Sequence, residues 1–129
     1  MAQLKIFATA DTIGQHRAAL SDAIHAAVMQ AFAYPAEKRF HRFMPLDPAD
    51  FVYPDDRSAS YLIIEISVFE GRTTAAKKQL IRELYARIPA ATGITPQDIE
   101  ITIFETPRQN WGIRGLPGDE IGLNYKVEV

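Results

Sequence analysis

The sequence contains no cysteine, a single tryptophan and only three histidines. Without thiols there is no disulfide scaffold, no thiolate zinc site and no cysteine nucleophile. His16, His25 and His41 show neither HxH nor HExxH spacing, so they read as structural or solvated side chains. Charge of one sign is lacking too. Fourteen Lys and Arg face 16 Asp and Glu, for a formal charge of −2, and the basic residues are dispersed. That balance gives no electrostatic grounds for binding nucleic acid or an anionic membrane. Apolar runs are short; Leu62-Ile63-Ile64 falls far below the length that spans a bilayer. The first residues, MAQLKIFATADT, lack the basic and apolar regions of a secretory leader. A cytoplasmic protein is therefore expected. No Walker or dinucleotide glycine pattern occurs, and no cofactor is expected. Asp47, Asp50, Asp55 and Asp56 lack the register and closing Glu of a calcium loop, so turn chemistry accounts for them.

What is present fits one folded domain. The 129 residues are 47% hydrophobic, enough for a real core. Leu4, Ile6 and Ala8 alternate and mark a strand over 3–8. Thr12 with Gln15 three residues on has the form of a capping box, and predicts the start of a helix there. Leu20, Ala23, Ile24, Ala27, Val28, Ala31 and Phe32 then form one apolar helical stripe, which Tyr34-Pro35 stops. Residues 39–44 read as a second strand. Residues 45–60 are turn-rich, with a short strand conceivable at Phe51-Val52-Tyr53.

The second half repeats this order. Residues 60–69 form the clearest strand, with Leu62, Ile64, Ile66 and Val68 on one face. Thr73 is a candidate N-cap for a helix carrying Lys77, Leu80, Ile81, Leu84, Tyr85 and Ile88. Pro89 ends or kinks that helix, and Gly93 suits a C-terminal cap. Residues 98–105 alternate as a strand, 106–120 read as loop or short hairpin, and 123–129 alternate as a terminal strand. Tyr34-Pro35 precedes Thr95-Pro96 by 61 residues, Phe40 precedes Ile101 by 61, and Phe51 precedes Trp111 by 60. The chain thus reads as one domain of two βαβ units, 1–59 and 60–129.

The second unit carries Ile64-Glu65-Ile66-Ser67-Val68-Phe69-Glu70-Gly71-Arg72-Thr73, then Lys77 and Leu80-Ile81-Arg82-Glu83. Ile101-Thr102-Ile103-Phe104-Glu105 and Trp111-Gly112-Ile113-Arg114-Gly115 follow. These segments resemble the 4-oxalocrotonate tautomerase subunit. Both halves together resemble the two-unit, malonate semialdehyde decarboxylase-like branch of the tautomerase superfamily. The resemblance implies an α+β fold, with a four-stranded mixed sheet and two helices on one face. It also implies a homotrimer, with C-terminal segments pairing across subunits. Family enzymes work with an amino-terminal proline as acid or base on a 2-oxo acid or its enol, while arginines hold the carboxylate.

The chain departs from that pattern at once, because Met1 is followed by Ala2. Removal of Met1 would leave a primary amine on Ala2, able to shuttle a proton or form a Schiff base. Retention would displace the amine by one residue. Arg72 matches the substrate-binding arginine, whose planar guanidinium suits bidentate carboxylate recognition. An arginine at a helix start is unfavourable on dipole grounds, which favours a ligand role. By the same resemblance Trp111 lines the pocket. Arg114, Lys38 and Arg39 are further candidate substrate contacts. Glu70 and Glu100 stand where relatives carry arginines, and Lys38 stands where the decarboxylases carry a carboxylate, with Glu37 beside it. These changes argue against malonate semialdehyde decarboxylation and ordinary 2-hydroxymuconate tautomerisation. The expectation is an enzyme for another small enolisable carboxylate, with Ala2 and Arg72 as catalytic residues. The competing reading is a catalytically silent binding or structural trimer on the same fold. An unrelated ferredoxin-like RNA-binding module would need stacking aromatics on strand 60–69, which is aliphatic.

Overall fold

A computed structural model describes residues 1–123, 125–127 and 129. Its strands are β1 (Ala2–Thr9), β2 (His41–Leu46), β3 (Leu62–Phe69) and β4 (Ile99–Thr106), with the short β5 (Gly112–Ile113) and β6 (Leu116–Pro117). Helix α1 (Ala10–Phe32) follows β1, and helix α2 (Thr74–Thr92) follows β3. The large sheet runs β2-β1-β3-β4. Each βαβ unit pairs its own strands in parallel, β1 with β2 and β3 with β4. The units meet antiparallel along β1 and β3, in a register that sets Leu4 opposite Ile66 and Ile6 opposite Ile64. The sheet is therefore mixed and α+β, as the resemblance implies.

Strand alternation decides where the core lies. Leu4, Ile6 and Ala8 of β1 and Leu62, Ile64, Ile66 and Val68 of β3 are buried under both helices. Helix α1 meets them with Leu20, Ile24, Ala27, Val28 and Phe32, and α2 with Ala76, Leu80, Leu84 and Ile88. Burying each large side chain is worth roughly 1.5–3 kcal/mol. Ile81, expected on the α2 stripe, is only half-buried.

Helix α1 begins earlier than Thr12. Thr9 is its N-cap and accepts from the Thr12 amide, while the Thr12 hydroxyl donates to the Ala59 carbonyl. Thr12 is thus already helical and ties the helix to the returning loop. Thr73 caps α2 as expected, accepting from the Ala76 amide at 3.1 Å. Pro89 does not end α2. The helix continues to Thr92, and Gly93 closes it at φ 78°. Residues 51–53 are not a strand; Phe51, Tyr53 and Tyr61 instead cluster with ring centroids 5.1–5.3 Å apart. Residues 112–117 form the expected small hairpin. The tail differs from expectation. Among its described residues none is in a strand, and Asn124 and Glu128 lie outside the described set. No described helix is long and apolar enough to cross a membrane.

Candidate active site

Four parts of the fold converge at the start of β1. The turn after α1 bends at Ala33 (φ 48°) and delivers the buried Tyr34. The turn after β3 bends at Gly71 (φ 120°), a backbone region open to glycine, and swings Arg72 inward. The loop after β4 supplies Arg108 and Trp111. The tail supplies Tyr125 and Val127. Met1, Phe69, Ile113 and Val127 form a separate small apolar cluster there, with Trp111, Ile121, Leu123 and Tyr125 packed against it.

The α-amino group that enters this pocket belongs to Met1. It is hydrogen-bonded to the Tyr125 hydroxyl. Burial, then the charges of Arg72, Arg108 and Lys38, push its pKa from 8.0 down to about 5. Both causes disfavour the ammonium form, so the amine is neutral at pH 7. Ala2 sits one step further in, and its peptide N–H donates to the Tyr34 hydroxyl at 3.1 Å. In a chain that retains Met1 the amine is thus displaced by one residue from Ala2 and is buried against Tyr125. The Tyr34 and Tyr125 rings also meet edge-on, 5.0 Å apart. Burial raises the pKa of both phenols, so both stay protonated.

Arg72 is buried, at 6% exposure. Its Nη1 donates to the Phe32 carbonyl at 2.9 Å and the Lys126 carbonyl at 3.4 Å, and the guanidinium lies 4.4 Å from the Phe32 ring centre. This removes the electrostatic misfit noted in the sequence. Arg72 starts near α2, but its charge caps the carboxyl end of α1, where a cation is stabilising. Trp111 packs against the Met1 cluster. It meets Phe69 edge-on at 5.1 Å and donates to the Thr106 hydroxyl at 2.7 Å.

The remaining candidates scatter. Lys38 is half-buried and close enough to act on the Met1 amine. Arg39 is exposed and pairs with Asp22 at 2.7 Å. It lines a different cleft of about 730 Å³ between α1 and β2, with Arg17, Ser21 and His41. That cleft lacks the converging buried groups found around the Met1 amine. Arg114 stands exposed at the tip of the β5–β6 hairpin, at φ 51°. Glu100 pairs with Arg57 at 2.8 Å. Asp47 caps a 3₁₀ turn, which is the turn chemistry expected of it. Among the described residues no group of three or more His, Cys, Asp or Glu is placed to hold a metal.

Sequence reasoning missed Tyr34, Tyr125 and Arg108. The Arg108 guanidinium donates to the Gly118 and Ile121 carbonyls and so pins the tail's approach. Nothing in the order of residues around Arg108 distinguishes it from a surface arginine. Tyr34 had a signal, since it sits at the stop of the first helix. Tyr125 was hidden inside an apparent strand.

A family model described as tautomerase enzyme matches residues 38–114. The chain belongs to the tautomerase family. It is 38% identical over 58 residues to 2-hydroxymuconate tautomerase of Pseudomonas putida, covering 45% of this chain and 92% of that protein. It is similar to the solved FG41 malonate semialdehyde decarboxylase inhibited by 3-bromopropiolate. That match has 30% identity and a TM-score of 0.74, over 85% of this chain and 87% of that one. A fused 4-OT solved as a wild-type asymmetric trimer shares the fold, with a TM-score of 0.82 at 24% identity, over 94% and 99% of the two chains.

Proposed function

We propose that this tautomerase-family chain is an enzyme that moves a proton on a small enolisable carboxylate, a 2-oxo acid or its enol, with its amino-terminal amine as the base. The observation that carries this reading is the buried Met1 amine, hydrogen-bonded to the Tyr125 hydroxyl and lowered to about 5 by burial and by the charges of Arg72, Arg108 and Lys38. An amine neutral at pH 7 has its lone pair available to take a proton, and the nearby cations favour an anionic substrate. Arg72 is the proposed carboxylate anchor, with Trp111 as the apolar wall and Lys38 as a further positive contact. Arg114 and Arg39 are less central in this reading because both are exposed. Where Met1 is removed, Ala2 inherits the amine beside the Tyr34 hydroxyl.

The chain is read as one domain of two units, 1–59 and 60–129. β3 begins 60 residues after β1, and the 3₁₀ turn at Arg108–Asn110 lies 60 after that at Pro48–Asp50. A homotrimer is the proposed assembly, by likeness to the fused 4-OT trimer. One observation favours a silent structural protein instead: Arg72 already donates to two carbonyls.

Two measurements decide between these readings. Ketonisation of the enol of phenylpyruvate, or of 2-hydroxymuconate, is followed by ultraviolet absorbance. In parallel, the protein is reduced with borohydride in the presence of a 2-oxo acid, and adducts are mapped by mass spectrometry. Turnover above buffer and an adduct on the amino-terminal residue support the enzyme. No turnover and no amino-terminal adduct leave the silent reading.

A further inference from the structure

Resting on the proposed function, we infer that Tyr125 is a catalytic residue, the hydrogen-bond donor to the carbonyl oxygen of the substrate, and that Tyr34 positions it. The geometry carries this. The Tyr125 hydroxyl sits directly on the Met1 amine. A donor beside a base is the arrangement enolisation requires, since the base takes a proton from carbon while negative charge grows on the neighbouring oxygen. Tyr34 fixes the direction of that donor. Its oxygen receives the Ala2 peptide N–H at 3.1 Å. Its ring packs edge-on against the Tyr125 ring. Tyr34 is buried at 5% exposure, so the pair has a rigid footing.

In the step itself, a 2-oxo acid enters with its carbonyl oxygen on the Tyr125 hydroxyl. The Met1 nitrogen lone pair takes the proton from C3. The C–H electron pair becomes the C2=C3 double bond, and the carbonyl π pair moves onto oxygen. The Tyr125 O–H stabilises that oxyanion by hydrogen bonding and keeps its proton, consistent with its raised affinity for protons. The products are an enolate and an ammonium. Ketonisation runs the same path backwards, or returns the proton to another carbon of a conjugated substrate. Charge and atoms balance without any co-reactant.

The arrangement also explains why the tail covers the pocket. Arg72 holds the Lys126 carbonyl, and the Thr73 amide donates to the Val129 carbonyl at 3.0 Å. These contacts bracket Tyr125 and bring a residue distant in sequence onto the amine.

The test is Tyr125→Phe, which keeps the ring and removes the donor. With the enol of phenylpyruvate as probe, kcat is expected to fall about 100-fold, the usual effect of losing one oxyanion donor. KM is expected to stay within about threefold, because the donor acts mainly in the transition state. The amine should still titrate near its wild-type midpoint, which a loosened pocket would not preserve. Tyr34→Phe should give a smaller loss, again in kcat rather than KM, and it serves as the second variant if Tyr125→Phe fails to fold. An active wild type with Tyr125→Phe equally active overturns this inference and leaves the proposed function standing. A loss confined to KM overturns it as well. A wild type with no turnover overturns both.

Discussion

At the residue scale the Met1 amine and Arg72 matter most. Arg72 has a structural task and a proposed functional one, and the two separate by experiment. Arg72→Ala removes charged hydrogen bonds to the Phe32 and Lys126 carbonyls. Such bonds contribute about 1.5–3 kcal/mol each, so thermal unfolding should show a clear loss of stability. If Arg72 also anchors substrate, KM should rise in protein that is still folded below its melting point. The amine gives a pH dependence. Its folded pKa lies below its unfolded value of 8.0, so the unfolded chain binds more protons between pH 8 and about pH 5. Stability should therefore fall as pH drops through that window and level off below it. His41 acts in the same direction at lower pH, because burial, then the charges of His25 and Arg39, lower it from 6.5 to about 4. Denaturant midpoints measured from pH 8 to pH 4 check both. A midpoint that rises on acidification would contradict the assignment.

At the element scale the helices and strands were largely legible, because apolar period and burial agree. Leu80, Leu84 and Ile88 were visible as a stripe and are buried as one. Leu84→Ala should cost about 2–5 kcal/mol, read as a fall in denaturant midpoint. Thr73 was also legible, since a cap residue stands just before that stripe. Thr73→Ala should cost about 1 kcal/mol from the cap, and it also frees the Val129 carbonyl from the Thr73 hydroxyl. Thr12 misled because its spacing to Gln15 imitates a capping box. The true cap, Thr9, also serves as the last residue of β1, and side-chain type alone does not distinguish two threonines three apart. The tail misled for a different reason. Leu123, Tyr125 and Val127 alternate, but they do so to reach the Met1 and Phe69 cluster rather than to pair with a strand.

At the scale of the whole molecule, two βαβ units joined edge to edge leave β2 and β4 as outer strands. Phe40 and Met44 at one edge and Phe104 at the other remain substantially exposed. Exposed apolar side chains near unpaired edges favour self-association. Light scattering should give three times the 14.5 kDa chain mass. A single-chain mass would remove the proposed trimer. The site was less legible than the fold because it is assembled from chain ends and loops. Arg72 was found through its motif, while Tyr125 reaches the amine from 124 residues away. Contacts of that span leave no local pattern. The central claim is that this convergence yields a terminal amine that is neutral at pH 7, with its lone pair available. Its most direct test is the pH dependence of amino-terminal acylation, followed by mass spectrometry of the first peptide. A midpoint near 5 is the expected result. A midpoint near 8, the value of an ordinary exposed terminus, would contradict the account.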